Sequence, residues 1–186
     1  MDRPDPALWL LINASTLTVG LTSNELDVLT SALQTFDRTW LPNDWYLNLP
    51  VGYRRLFNWI AGLLVSELGF LPGAYVGRAL VTLVLAAAFS ALFAALRLRL
   101  WLALLVPALF LGSQSLIAGE WMVGGFDTKT IAYAFVFLAL AAFLTRRYAL
   151  GFAAAGAALS FHVLVGLYAL VCLAAATVAS SAWRVE

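Results

Sequence analysis

The sequence predicts an all-α protein: a polytopic transmembrane helical bundle with interfacial amphipathic helices in its first outer loop. Three observations lead there. Hydrophobic residues make up 63% of the 186 residues and charged residues only 11%, against about 25% charged in an average soluble domain. Apolar runs of spanning length recur from Gly73 onward, with arginines at their ends. A single long polar stretch, Ser23 to Pro50, interrupts them and carries Glu25, Asp27, Asp37 and Asp44, four of the ten acids. The net charge is +1 and the eleven basic residues are scattered, which excludes a nucleic-acid surface, because that needs a clustered basic patch. Cys172 is alone and has no intramolecular disulfide partner. Asp2 and Asp5 spoil the basic start of a cleavable signal peptide. With no tandem repeat and no low-complexity linker, residues 1–186 read as a single transmembrane domain with a polar loop at 23–52.

In chain order, a first span is expected from Ala7 to Leu21, with Trp9 as interfacial anchor. Its Asn13, Ser15, Thr16 and Thr18 should face other helices rather than lipid. Leu26, Leu29, Leu33 and Phe36 recur at helical spacing, so residues 23–36 form an amphipathic helix with Glu25, Asp27 and Gln34 on its polar side. Trp40, Trp45 and Tyr46 bracket Leu41-Pro42-Asn43-Asp44, a turn in an aromatic belt. Residues 53–70 have spanning length, but Arg54, Arg55, Asn58 and Glu67 suit a helix lying at the interface as well as one that crosses.

Gly73 to Leu96 spans, with Arg78 near enough to one end to snorkel. Leu100 to Ile117 spans again and carries Pro107 as a kink. Thr130 to Thr145 is a third span, closed by Arg146 and Arg147. Tyr148 to Trp183 is too long for one crossing and has arginines at both ends, which the positive-inside rule places on the same side. It therefore reads as a helical hairpin: a short helix packed through Gly151 and Gly156, a break near His162, and a return helix from Val163 to Ser181.

Two topologies follow. In the first, 7–21 crosses outward and 53–70 lies flat on the outer face, so that seven of the ten acids, Glu25 to Asp127, are outside. In the rival, 53–70 crosses. Charge bias is then better satisfied, because Arg38, Arg54 and Arg55 join the cytoplasmic side. The rival also puts a bilayer between Glu25 and Asp27 on one side and Glu120, Asp127, Lys129 and His162 on the other.

The order of features resembles the amino-terminal part of the GT-C superfamily of polytopic membrane glycosyltransferases, and is most similar to its uncharacterised bacterial members. The resemblance lies in a first span followed by an outer loop opening on Glu25-Leu26-Asp27, the LPNDWY run at 41–46, GGFDTKTIAYAFVFLAL at 124–140, and a small-residue helix ending in FHVLVGLY at 161–168. It implies transfer of a sugar from a polyprenyl-phosphate donor to an acceptor it does not identify, on the extracytoplasmic face of a bacterial inner membrane, with the catalytic base among the acids of the first outer loop. Those enzymes are longer, so this chain is expected to be an amino-terminal portion of such a protein.

The candidate catalytic residues are Glu25, Asp27 and Asp44; the candidate substrate-binding residues are Arg54, Arg55, Glu120, Asp127, Lys129 and His162. Glu25 or Asp27 is the general base, or Thr22-x-x-Glu25 is a capping box with acids placed to suit the helix dipole. Asp44 is a second acid or a turn former. Arg54 and Arg55 clamp a lipid phosphate, as paired guanidiniums at a membrane surface are fit to do, or anchor the interface. Lys129 neutralises a donor phosphate or pairs locally with Asp127. His162 lines the site or is a buried hydrogen-bonding residue at a helix break. No metal-ligand spacing, phosphate loop or nucleophile triad is present, so no cofactor is indicated, a divalent metal included. Two further readings are a transporter-type module built on the half-helices meeting near His162, and a non-catalytic membrane scaffold. Labelling single cysteines from outside intact cells, after Cys172 is replaced, separates the topologies. Position 43 reacts in the first; in the rival it is protected while position 125 reacts.

Overall fold

The computed structural model describes residues 20–48, 54–114 and 123–182, and side chains as far as residue 179. Among these residues the chain forms seven helices and no strand. The expected first span lies outside the described residues except at its end.

Helix α1, Ser23–Phe36, starts on a complete capping box: the Thr22 hydroxyl accepts from the Glu25 N–H, and the Glu25 carboxylate accepts from the Thr22 N–H. Its period is the predicted one, but the buried face is rotated. Val28, Leu29 and Ala32 are buried together with Glu25 and Gln34, while Leu26 and Phe36 are exposed. Glu25, expected on the polar side, is pulled inward by a buried arginine described below.

Helix α2, Arg55–Leu68, buries Phe57, Asn58, Ala61, Gly62 and Val65. It runs parallel to α1: Asp27 meets Arg54 and Ser31 meets Asn58, each 27 residues apart. A Cβ on Gly62 would collide with the Ala32 carbonyl and the Phe36 ring, so glycine sets this close approach. Fourteen residues reach about 21 Å, short of the ~30 Å hydrocarbon core.

Gly69, at φ 84, turns the chain in one residue into α3, Phe70–Ala95. Gly73 fits against the backbone of Leu64 and Val65, so the first turns of α3 run back along α2. Of the described helices, α3 alone is long and apolar enough to cross a membrane. Helix α4, Leu100–Ser113, contains Pro107 and packs on α3 through Phe110 and Phe89. Its end is tied down by Gln114, whose amide donates to the Val123 carbonyl at 2.7 Å and accepts from the Val123 N–H at 2.9 Å.

Helix α5, Thr128–Leu144, runs parallel to α3, with Phe126 against Gly77 and Phe137 stacked on Phe89 at 4.5 Å. Helix α6, Tyr148–Phe161, returns antiparallel, pairing Phe143 with Tyr148 and Phe135 with Phe161. His162 is the one-residue break, with extended φ −144, before α7, Val163–Ala182. The hairpin is as expected, but of the two glycines expected to pack closely only Gly151 does so. A Cβ on Gly151 would lie 3.2 Å from the Ala139 carbonyl of α5, whereas one on Gly156 would meet nothing within 4 Å. The glycine that brings α7 back onto α6 is Gly166, against the Leu159 backbone.

One end of the bundle therefore gathers the starts of α1, α2 and α5, Arg78 of α3 and the α6–α7 break. The other carries Arg97, Arg99, Arg146 and Arg147 in the turns after α3 and α5. At 1.5 Å per residue the two ends are about 25 Å apart, counted either from Arg78 to Ala95 or along α5.

Gly166→Ala should lower the thermal midpoint in detergent, an overpacking loss of about 1–3 kcal/mol. Gly156→Ala should be neutral or stabilising by up to about 1 kcal/mol, because it only removes a helix-interior glycine.

Candidate functional site

The innermost group at the cleft end is Glu25, which is 0% exposed. Its Oε1 accepts from Arg78 Nε at 2.6 Å and from the Phe126 N–H at 2.7 Å. Its Oε2 accepts from Arg78 Nη2, the Thr22 N–H at 2.8 Å and the Thr22 hydroxyl at 3.0 Å. A carboxylate has about four acceptor sites, so this one is saturated. Burial pushes its carboxyl up, but the hydrogen bonds from Arg78, Thr22 and Phe126 and the charge of Arg78 outweigh it, leaving the group below its ordinary value. Such a group is a tie between elements with its acceptor sites taken up, and the capping box that was its alternative role is present.

Arg78 does not snorkel. It is 4% exposed, donates also to the Gly20 carbonyl at 2.8 Å and lies 5.3 Å from the centre of the Tyr75 ring. The sequence signal for this role was an arginine beside a glycine inside an apolar span; ionisable groups in such runs are functional by default. Two glycines make room for the tie: a Cβ on Gly77 would enter the Phe126 ring, and one on Gly125 would lie 2.9 Å from Glu25 Cδ.

Directly beside this tie is a cleft of about 140 Å³ lined by Asn24, Asp27, Val28, Arg54, Asp127, Thr128, Lys129 and His162. Five of the expected residues meet here: Asp27, Arg54, Asp127, Lys129 and His162. They come from α1, the start of α2, the start of α5 and the α6–α7 break. Asp27 and the last three, which the rival topology separates by a bilayer, share this one cleft.

Asp27 Oδ2 accepts from Arg54 Nη1 at 2.8 Å, with side-chain exposures of 39% and 17%. Asp127 is the N-cap of α5, its Oδ1 accepting from the Thr130 N–H at 2.8 Å and the Thr130 hydroxyl at 2.9 Å. Burial pushes the Asp127 carboxyl up. The Thr130 hydrogen bonds and the Lys129 charge oppose this and the Glu25 charge adds to it, so the group lies above its ordinary value. His162 Nδ1 accepts from the Val165 N–H at 3.4 Å, which assigns the proton of the neutral ring to Nε2. The cleft thus offers an ionic Asp–Arg pair, a lysine, an imidazole and a buried acid.

Asp44, Arg55 and Glu120 stand apart. Asp44 is exposed and accepts from the Tyr46 and Leu47 N–H groups at 2.9 and 3.0 Å, the turn-forming role that was its alternative. Arg55 is exposed at the first turn of α2 and does not line the cleft. Glu120 lies outside the described residues. Among the described residues no group of three or more His, Cys, Asp or Glu side chains is placed to hold a metal ion. No protein-family model, curated protein or solved structure matches the chain.

Glu25→Gln or Arg78→Met should each destabilise the protein by about 3–5 kcal/mol near neutral pH, because each strands a buried charge or its donors. The double variant should recover much of that loss. Because the Glu25 carboxyl is lowered on folding, its contribution is present above the ordinary value of 4.5 and fades as pH falls through the folded value. The gap in thermal midpoint between wild type and Glu25→Gln should therefore narrow on acidification.

Proposed function

We propose that the chain is the catalytic portion of an integral-membrane glycosyltransferase of the GT-C type, and that the cleft takes the phosphate of a polyprenyl-phosphate sugar donor. The observation that carries this reading is the convergence of one accessible carboxylate, Asp27, with Arg54, Lys129 and His162 on a single small cleft. A carboxylate to accept a proton and cations for a phosphate are what displacement at a sugar phosphate requires.

The surroundings support a membrane setting. Besides α3, the helices α4, α5, α6 and α7 are apolar but shorter, and they expose large side chains: Trp101 58%, Leu109 62%, Leu164 57%, Tyr168 67%. Exposed apolar surface of this extent marks lipid or partner contact. The ~25 Å between the arginine-bearing turns and the cleft is close to a hydrocarbon thickness. With those arginines in the cytoplasmic headgroup layer, the cleft lies in the outer one, at the depth of a lipid-linked phosphate. A cleft of 140 Å³ is smaller than the roughly 300–1,000 Å³ of complete ligand sites, so the sugar and the isoprenoid extend beyond it.

In this mechanism Asp27 accepts the proton of an acceptor hydroxyl. The acceptor oxygen forms a bond to the anomeric carbon from the face opposite the leaving group. The bond from that carbon to the phosphate oxygen breaks, its electron pair stays on the phosphate, and Arg54, Lys129 and His162 stabilise the charge. Glu25 and Arg78 hold the elements in place without touching the reactants. The transporter-type reading draws on one observation, that the α6–α7 break places His162 in the cleft wall.

In inner-membrane vesicles carrying the full-length protein and a radiolabelled polyprenyl-phosphate sugar, Asp27→Asn should cut release of polyprenyl phosphate by about 10²- to 10⁴-fold with insertion unchanged. Undiminished release by that variant removes the base assignment. Tracer crossing the vesicle wall with its sugar–phosphate bond intact favours the transporter.

A further inference from the structure

Helix α1 carries two acid–base pairs two residues apart, and they differ in one physical respect. Glu25 with Arg78 is sealed, with side-chain exposures of 0% and 4%. Asp27 with Arg54 opens on the cleft, at 39% and 17%. A sealed pair cannot exchange partners without exposing a bare charge to a dry interior. An open pair is held only weakly, since water and salt screen it.

A phosphate entering the cleft finds Arg54 already engaged by a carboxylate. Phosphate offers several oxygens to the planar fork of a guanidinium, a geometry at least as favourable as that of the carboxylate it meets. It also gains the nearby Lys129, which lines the same cleft.

Resting on the anion-binding reading of the cleft, we infer that Asp27 and Arg54 form an exchangeable pair in which Asp27 occupies the phosphate's place on Arg54 until a phosphate arrives. The incoming phosphate takes over the Arg54 N–H donors, and Asp27 Oδ2 is released to accept the proton of a second reactant. The base is held back until the donor is seated, so the two substrates bind in order and water finds no free base in the empty cleft. Arg54 is then a positioning residue for Asp27 as well as a ligand of phosphate.

The test is a double-mutant cycle read by calorimetry on the full-length protein in a neutral detergent, with inorganic phosphate and dodecyl phosphate as probes. Removing the competitor with Asp27→Asn should tighten phosphate binding by roughly two- to fivefold, the range an accessible ion pair is worth. In an Arg54→Ala background that gain should vanish, with Arg54→Gln as a second background that keeps side-chain length. Tightening that persists without Arg54 is a general charge effect and overturns the exchange, as does unchanged or weaker binding by Asp27→Asn. Failure of wild type and Asp27→Asn to bind either probe removes the anion site itself, and the reading in the preceding subsection with it. Tighter binding of dodecyl phosphate identifies a lipid headgroup as the source, and tighter binding of inorganic phosphate a soluble one; the exchange stands in either case if the cycle closes as stated.

Discussion

The buried contact between Glu25 and Arg78 is the constraint on which the cleft end of this molecule depends. Each partner in isolation would be intolerable where it sits, because an unpaired buried charge costs several kcal/mol after relaxation. Together they join three segments. Arg78 reaches the Gly20 carbonyl, Glu25 closes the capping box on Thr22, and its Oε1 fixes the Phe126 N–H. The start of α1, the upper part of α3 and the approach to α5 are thereby set against one another. Asp27 and Asp127, two residues beyond Glu25 and one beyond Phe126, inherit their positions from it. Replacing such a pair by apolar groups is often harmless to stability in other folds; here the hydrogen bonds to backbone make the pair a device for alignment.

The electrostatic layout follows from burial. One carboxylate is sealed and committed, one is accessible and paired across the cleft, and a third caps a helix while burial works against its charge. Environments that push neighbouring acids in different directions are a feature of sites that move protons. Lys129 and His162 complete the arrangement from helix ends, where a side chain can reach a shared space that the middles of packed helices close off.

Much of this was legible in the sequence. The capping box at Thr22 and Glu25, the period of residues 23–36, the hairpin broken at His162 and the arginines ending the apolar helices all report local rules, and the described helices appear within a few residues of where those rules put them. The legible parts depend on neighbours in sequence. What escaped depends on neighbours in space. The inward turn of Glu25 needs an arginine 53 residues away, and α1 shows its apolar residues on two sides without saying which side is covered. Gly156 and Gly166 look alike in a string of small residues, and only the fold shows that one meets a backbone and the other nothing. The five cleft residues were candidates one by one; that Asp27 shares a space with Lys129 and His162, while Asp44 and Arg55 do not, is a property of the bundle.

The amide clasp between Gln114 and Val123 fixes the end of α4 to the residues that lead into Phe126, whose N–H is held by Glu25. Residues 123–127 are therefore held from two directions, by Gln114 at Val123 and by Glu25 at Phe126, so a disturbance of either contact reaches the cleft wall at Asp127.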